Sequence, residues 1–459
     1  MINKNYDVVI VGCGLGGLFS AHTLIDKSNK RILILEKGTN LEGRYCPPNN
    51  KCCSKQCCDI LCGVGGAGGF SDGKITLAPR IGTHYEKLLN LPETAITNLV
   101  SKVLEIIQKN VPNGIYYGAY EDKHKTSDRI KIEGYKGYHI GTDGIQELVK
   151  KLYANISRNC EISLNSDVIE IEHVGKSDNY GIIYMQNNEV KKAIAPYVIL
   201  APGLEGSVFI ENNLKKLGIC LNSHPADIGI RIEVHHEVFT KLMDNLYDFK
   251  IYYSSSDVNL RTFCVNHMGY VLTENHRQLG ISGVNGHAYL HNKTSNTNFA
   301  ILATITSEYS DDPPKFVRNL ARSINQAGKG YPIYQTLDSF LGTTTSINQK
   351  RDIQRTNTKV RYANIKELLP TFLYKSFRKF LLELIEAFPK MQRYQSYIYA
   401  PEIKYFQYKV PLTPNSNIPD TNIYVIGNAS GYTANLMGAA VMGLIAAKDI
   451  NNKIEDRWK

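Results

Sequence analysis

The sequence predicts an α/β protein: a split, three-layer Rossmann-like domain with an inserted α+β domain rich in antiparallel sheet. Three observations predict it. Tyr6 to Glu36 reads as a complete strand–turn–helix–strand unit. Two later strands, Tyr197–Leu200 and Asn422–Ile426, each run into small residues, at Ala201-Pro202-Gly203 and Gly427-Asn428. Between these strands, from about Asp227 to Ile305, the pattern changes to strand-like alternation.

In the first unit, the apolar run Val8 to Val11 stops at Gly12. Gly12, Gly14 and Gly17 stand in G-x-G-x-x-G spacing, and a helical apolar pattern (Leu18, Ala21, Leu24, Ile25) follows. A second β-rich run, Arg31 to Leu35, ends on Glu36. Each residue type has a reason: a tight turn at Gly12, backbone approach to a pyrophosphate at Gly14, and close helix packing at Gly17. The helix N-terminus offers N–H groups and partial positive charge to phosphates. Glu36 suits the hydroxyls of an adenosine ribose and would repel a 2′-phosphate, which disfavours NADP at this site. Leu15 and Gly16 inside the loop, with Lys37 and Arg44 beyond the acid, complete the candidate cofactor contacts here.

Six of the ten cysteines, Cys46, Cys52, Cys53, Cys57, Cys58 and Cys62, lie in an irregular Pro- and Asn-containing segment. Their spacing matches neither a double C-x-x-C zinc pattern nor a ferredoxin run. A structural metal or iron–sulfur cluster, a thiol redox partner of the cofactor, and reduced bystanders all stay open, with no metal the favoured reading. Gly63 to Lys74 follows, GVGGAGGFSDGK, again glycine-rich but with no preceding strand. So many small residues suit backbone laid against a flat or anionic group, making Gly65, Gly66 and Ala67 cofactor candidates.

Residues 84–125 read as mainly helical, and Gly134 to Gly144 as a turn-rich connection. A helix then starts near Asp143, with Thr142 or Asp143 as its N-cap. Ile162 to Ile171 reads as a strand carrying Val168, with a hairpin-like partner at Tyr180 to Met185. The strand ending at Ala201 and Gly203 belongs beside the first glycine loop. From Asp227 a largely antiparallel sheet is a natural floor for a substrate pocket. A helix over 366–388 presents an apolar stripe from Phe377 to Phe388. Gly427 and Asn428 precede a final helix that receives an anion or carbonyl at its start. The expected division is 1–83, 135–226 and 396–459 for the split domain, 84–134 for a helical insertion and 227–395 for the substrate or cap domain.

A length of 459 residues implies two or three domains. The net charge of +10 is spread along the chain without a basic run, so a nucleic-acid partner is not expected. The dinucleotide unit begins within six residues of Met1, so no signal peptide is expected. Met437 to Ala447 is too short to span a bilayer, and a cytoplasmic location follows as the expectation.

Three separated pieces, Gly12 to Gly17 with Glu36, Val198 to Gly203 and Ile423 to Gly431, resemble the FAD-binding signatures of the glutathione-reductase-like flavoprotein fold. More closely, the chain resembles a bacterial family of FAD-dependent, NAD(FAD)-utilising dehydrogenases. That likeness is carried by the cysteine-rich loop with Cys46-Pro47, GGAGGFSDGKITL (Gly65 to Leu77), HIGTDGI (His139 to Ile145), RTFCVNHMGYV (Arg261 to Val271) and YAPEIKY (Tyr399 to Tyr405). It is more distantly similar to geranylgeranyl reductases and aminoacetone-oxidase-like flavoproteins. The resemblance implies FAD, with Gly12, Gly14 and Gly17 at the pyrophosphate, Glu36 at the ribose and Val168 near adenine. The helix after Gly431 would then point toward the pyrimidine end of the flavin. Asn428 stands where related flavoproteins usually carry Asp. No second Rossmann unit is visible, so reducing equivalents would come from transient NAD(P)H binding, another protein or the substrate itself. The implied activity is hydride transfer between flavin N5 and a small or medium organic substrate. An oxidase or hydroxylase using dioxygen, and a flavin-bearing RNA-binding or tRNA-modifying protein, are the alternatives. Asp72, Lys74, Arg231, Cys264, His287 and Glu402 are the candidates to line the substrate pocket.

Overall fold

The computed structural model describes residues 3–26, 30–45, 57–79, 81–83, 88–118, 120–121, 129–175, 178–243, 246, 248–254, 258–289, 291–343 and 350–457. Its first layer system is a five-stranded parallel sheet, in the order Ile423–Val425, Tyr197–Leu200, Val8–Val11, Ile32–Leu35, Glu161–Ser163. The three middle strands are apolar at every position because both faces are covered. Successive residues take opposite faces. Val8, Ile10, Ile32, Ile34 and Ile199 meet the helices Leu15–Ile25, Gly141–Ile156 and Leu436–Arg457. Val9, Val11, Leu33, Leu35, Val198 and Leu200 meet a second sheet through Val168, Ile171, Ile182 and Ala193. In that four-stranded sheet Tyr180–Gln186 pairs antiparallel with Ser166–His173, the strand carrying Val168, as expected, while Glu161–Ser163 is a separate strand of the five-stranded sheet.

The first and last of these helices approach closely at Gly16 and Gly443. A Cβ on Gly443 would stand 2.5 Å from the Gly16 carbonyl oxygen. Ser20 Oγ donates to the carbonyls of both Gly16 and Gly443, at 2.8 and 3.2 Å.

The second body is a nine-stranded sheet centred on Ala226–His235, paired antiparallel with Asn296–Ile305 on one side and Tyr397–Lys404 on the other. Ile228, Ile230, Ile232 and Val234 face a core closed by Phe377, Phe380, Leu381 and Leu384 of the helix Thr371–Ala387. The alternate residues are polar, as in a half-solvated antiparallel strand. Here, however, Arg231 and Glu233 are fully buried, as are Glu402 and Asn298 on neighbouring strands. The hairpin Tyr270–His276/Ile281–His287 covers this face: a Cβ on Gly286 would meet Asn298 Oδ1 at 2.2 Å and Arg231 Nη1 at 2.6 Å.

Three expectations are corrected. Among its described residues, the segment 84–134 is helical at Leu88–Leu89 and over Glu93–Asn110. Past Pro112 and Gly114, which cannot continue a helix favourably, Ile115–Tyr117 and Ile130–Gly134 are strands, the latter in the nine-stranded sheet. The helix Gly141–Ile156 starts one residue before Thr142, and its N-cap position, Ile140, provides no side-chain cap. Strand Tyr397–Lys404 pairs with the central strand of the nine-stranded sheet, so that unit extends through Lys404 rather than ending at 395.

Candidate functional site

One cavity joins the two bodies. Its middle is lined by Gly12, Gly14, Leu15, Gly16, Gly65, Gly66 and Ala67. Gly12 sits at φ +99°, and a Cβ there would lie 2.3 Å from the Ala201 carbonyl oxygen, so the turn requires glycine. The helix Leu15–Ile25 begins at Gly14 with no side-chain cap and no acid in its first turn. Its N–H groups therefore open on the cavity with their positive end uncompensated. The second glycine loop lies directly beside the first: Gly65 N–H donates to the Cys13 carbonyl at 2.8 Å, and Gly14 and Gly65 form a parallel bridge.

One end of the cavity is lined by Glu36, Lys37, Val168, Ala201 and Gly203. The Glu36 carboxylate already accepts the N–H groups of Cys13 (2.7 Å), Gly38 (2.8 Å) and Gly63 (2.8 Å), which aim it at the cavity and use three of its lone pairs. Lys37 Nζ lies 3.2 Å from Asp167. Gly427, Asn428 and the start of the last helix, with Ala434, Asn435 and Leu436, line another wall. Asn435 Oδ1 accepts the Gly438 N–H at 2.7 Å and caps that helix. Asn428 Oδ1 accepts from the Gln407 amide, so the residue is held by the protein as well as facing the cavity. Carboxylate at one end, a bare helix N-terminus in the middle and flat glycine backbone beyond it fit an adenosine–pyrophosphate–isoalloxazine molecule.

Arg44 departs from the expected cofactor contact. It is buried away from the cavity lining, and donates to the carbonyls of Asp59 (2.9 Å), Val64 (2.7 Å), Ile60 (3.1 Å) and Gly66 (2.8 Å), over the Phe70 ring. Burial pushes its guanidinium down to about 10. Arg44 is a pin that ties the cysteine loop to the second glycine loop. Cys46, Cys52 and Cys53 lie outside the described residues. Cys57, Cys58 and Cys62 are buried, and Cys62 lines the cavity. Cys57 and Cys62 share a hydrogen bond that lowers the Cys57 pKa against the opposing effect of burial.

The far end holds Asp72, Lys74 and Cys264, three of the six expected pocket residues. Lys74 Nζ lies 2.8 Å from Asp72 and 3.4 Å from Asp248, and also donates to the Val265 carbonyl. Burial opposes charge on Asp72, but Lys74 outweighs it and holds the carboxyl below its ordinary pKa. Cys264 Sγ–H donates to Asp72 Oδ2 at 3.6 Å, and burial pushes the thiol up to about 12. His139 contacts the Asp72 carbonyl at 2.9 Å, and burial lowers it to about 4, so the imidazole is neutral. Cys264 has φ +52° at a bulge in its strand, and the broken alternation lets Phe263 and Cys264, adjacent in sequence, both line the cavity.

The other three expected pocket residues stand behind this wall. Arg231 Nε and Nη2 each donate to Glu402 at 2.7 Å, both residues being wholly buried, and neither lines the cavity. His287 contacts the Phe70 carbonyl at 3.3 Å and packs edge-on against Tyr270 and Tyr289. Period-two alternation puts Arg231 on the polar face, but the covering hairpin keeps it from the cavity. Residues not anticipated from sequence are Tyr135, Asp248, Lys250, Glu274, Lys404 and Glu205. Asp248 and Lys250 flank one position of a short strand, a pattern that also describes an ordinary solvated face.

Residues 227–404 match a family model described as "FAD-dependent protein, C-terminal domain-like". Over 97% of its length the chain is 24% identical to an uncharacterized protein of Clostridium beijerinckii, of which the match covers 81%. Among solved structures, a geranylgeranyl bacteriochlorophyll reductase-like protein of Thermoplasma acidophilum is 14% identical over 99% of this chain and 80% of that one, with a TM-score of 0.44. p-Nitrophenol 4-monooxygenase of Pseudomonas putida is 11% identical over 100% and 82%, at 0.45. A flavoprotein/dehydrogenase of Cytophaga hutchinsonii is 11% identical over 98% and 79%, also at 0.45. The family match, which ends where the strand Tyr397–Lys404 of the nine-stranded sheet ends, supports FAD as the cofactor.

Proposed function

We propose that this protein is an FAD-dependent oxidoreductase acting on a small organic molecule held against the polar face of the nine-stranded sheet. The observation that carries this reading is the single cavity running from the bare helix N-terminus at Gly14 to the buried Asp72–Lys74–Asp248 group. The chemistry FAD supplies when bound is two-electron exchange with a substrate carbon, as a dehydrogenase, or with dioxygen, as an oxidase or hydroxylase.

The chain's own residues divide the remaining tasks. Gly12, Gly14 and the N–H groups of Leu15 and Gly16 receive the pyrophosphate, Gly17 stands behind them packed on the Gly12 carbonyl, and Glu36 accepts a ribose hydroxyl on its remaining lone pair. Gly65, Gly66 and Ala67 give the isoalloxazine a flat backbone wall. Asp72 and Asp248 hold Lys74 charged and fixed, so a charge developing on substrate meets an oriented ion rather than mobile water. Cys264, protonated at neutral pH, can donate but not act as a thiolate. Val168 and Ala201 pack the adenosine end.

The test is anaerobic reduction of the FAD-loaded protein, by light or by NADH and NADPH, followed by air. Slow reoxidation, with fast reoxidation by an organic acceptor, supports the dehydrogenase; immediate reoxidation with peroxide supports the oxygen-using alternative. Failure of the chain to take up FAD contradicts both.

A further inference from the structure

Lys250 differs from the other cations of the cavity. Lys37, Lys74 and Lys404 each lie within reach of a carboxylate, at 3.2 Å from Asp167, 2.8 Å from Asp72 and 3.6 Å from Glu402. Lys250 has neither ion-pair nor hydrogen-bond partner among the described residues, although it is only 7% exposed. Its position follows from the strand Phe249–Tyr253. Phe249, Ile251 and Tyr253 enter the core against the helix Thr371–Ala387, so Lys250 takes the opposite face, toward the cavity. Its ammonium lies 5.8 Å from the ring centre of Tyr135 and 5.7 Å from that of Phe263. Contacts of this kind contribute about 1 kcal/mol, well short of the several kcal/mol that desolvating an ammonium costs.

The charged groups around Lys250 are already engaged. Asp248 binds Lys74 and the Tyr135 hydroxyl, and Asp227 is ion-paired with Arg261. Glu133, opposite Lys250 in the sheet, lies 3.6 Å from Lys131. Burial first, then Arg261, push Lys250 down to about 8 against the pull of Asp248, Asp227 and Glu133. A buried cation facing an open cavity beside two aromatic rings is, among the described residues, a site without its counter-ion.

We propose that Lys250 receives the carboxylate of the substrate, which makes the substrate a small monocarboxylic acid with an apolar body against Phe263 and Leu272. One uncompensated cation balances one negative charge. A phosphate dianion would bring a second charge toward Asp72, Asp248 and Glu274, which line the same cavity. This inference rests on the flavoenzyme reading for calling the bound acid a substrate, but the anion site stands on Lys250 alone.

The test titrates FAD-loaded wild type, Lys250→Met, Lys250→Arg and the exposed control Lys216→Met with benzoate, benzyl alcohol and inorganic phosphate, following the flavin absorption bands. Removing a buried unpaired charge relieves desolvation, so Lys250→Met is expected to fold. The expected result is benzoate binding at least tenfold weaker in Lys250→Met, largely restored in Lys250→Arg and unchanged in Lys216→Met. Phosphate and the alcohol bind more weakly than benzoate throughout. In the wild type, benzoate affinity falls about tenfold per pH unit above about 8, as Lys250 loses its proton. Equal benzoate affinity in Lys250→Met, tighter phosphate than benzoate, or no benzoate binding overturns the proposal. So does loss of FAD from Lys250→Met alone, which would make Lys250 a cofactor residue. Flavin uptake, read on the same samples, tests the cofactor reading separately. If no sample takes up FAD, benzoate must still raise the Tm of the wild type and not that of Lys250→Met.

Discussion

Gly14→Ala separates folding from cofactor binding at a single methyl group. Gly14 has φ −72°, a conformation alanine adopts freely, and the nearest atom to an added Cβ is the Gly66 Cα at 3.8 Å. The flavin-free variant is therefore expected to keep its Tm or to gain a little, since alanine restricts the unfolded chain by about 0.4–1 kcal/mol. The methyl would stand where a pyrophosphate must approach the N–H groups of the helix Leu15–Ile25. Losing one or two charge-assisted hydrogen bonds costs about 2–4 kcal/mol, so FAD affinity is expected to fall about 30-fold to 1,000-fold. Gly12→Ala makes the contrast: its φ of +99° and the 2.3 Å approach to the Ala201 carbonyl strain the fold itself, lowering the Tm even without flavin. The assays are quenching of flavin fluorescence on titration and melting of the flavin-free proteins by circular dichroism. FAD binding by Gly14→Ala within about threefold of wild type, at unchanged stability, would refute the placement of the pyrophosphate.

Arg231→Met leaves the fully buried Glu402 with only Lys404 near it and is expected to cost about 3–5 kcal/mol in denaturant unfolding, most of it regained in Arg231→Met/Glu402→Leu. A stable but inactive Arg231→Met would return Arg231 to the chemistry. Glu205 lines the cavity, and burial raises its pKa to about 7, above its ordinary value of 4.5. The folded chain thus keeps a proton that the unfolded chain releases, and stability falls as pH rises through that window, by at most about 3 kcal/mol. Glu205→Gln is expected to be the more stable protein at pH 8, with the advantage gone by pH 4; an equal advantage at both pH values would contradict this. Lys74→Met removes the cation that holds Asp72 ionised. The wild type gains stability from that pair above the ordinary carboxylate range and loses it only on acidification. The variant is expected to reverse the slope, melting higher at pH 5 than at pH 8, and an unreversed slope would show that Lys74 does not set the state of Asp72.

Much of the cofactor end was legible because backbone geometry leaves a mark on residue type. Gly12 and Gly17 announce a turn and a close packing that no other residue fits, and the all-apolar Val8–Val11 announces a strand covered on both faces. The neighbouring glycine loop could be assigned to the cofactor from its small residues, but its pairing with the first loop through Gly65 and Cys13 joins residues about 50 apart and leaves no local signal. Arg44 shows a different limit. A lone arginine beyond an acid is as fit to bind four carbonyls as a phosphate, and only the fold decides. At the substrate end, alternation identifies the polar face of the strand carrying Arg231, but whether that face meets solvent, a cavity or another hairpin depends on what covers it. The hairpin Tyr270–His276/Ile281–His287 covers Arg231 and Glu402, while Lys250, on a strand nearer the sheet's edge, stays open to the cavity. Tyr397–Lys404, which pairs with Ala226–His235, shows a similar limit. Its partner strand begins at Ala226, about 170 residues earlier, and no local pattern records that pairing.

The central claim, that one cavity built from the two glycine loops and the last strand holds FAD, is tested most directly by the visible spectrum of the purified protein. The sample is incubated with excess FAD and desalted beforehand. The account predicts flavin absorption bands at about one FAD per chain in the wild type, and their loss in Gly14→Ala at equal folded content. A folded wild-type protein that stays colourless after this treatment would contradict it.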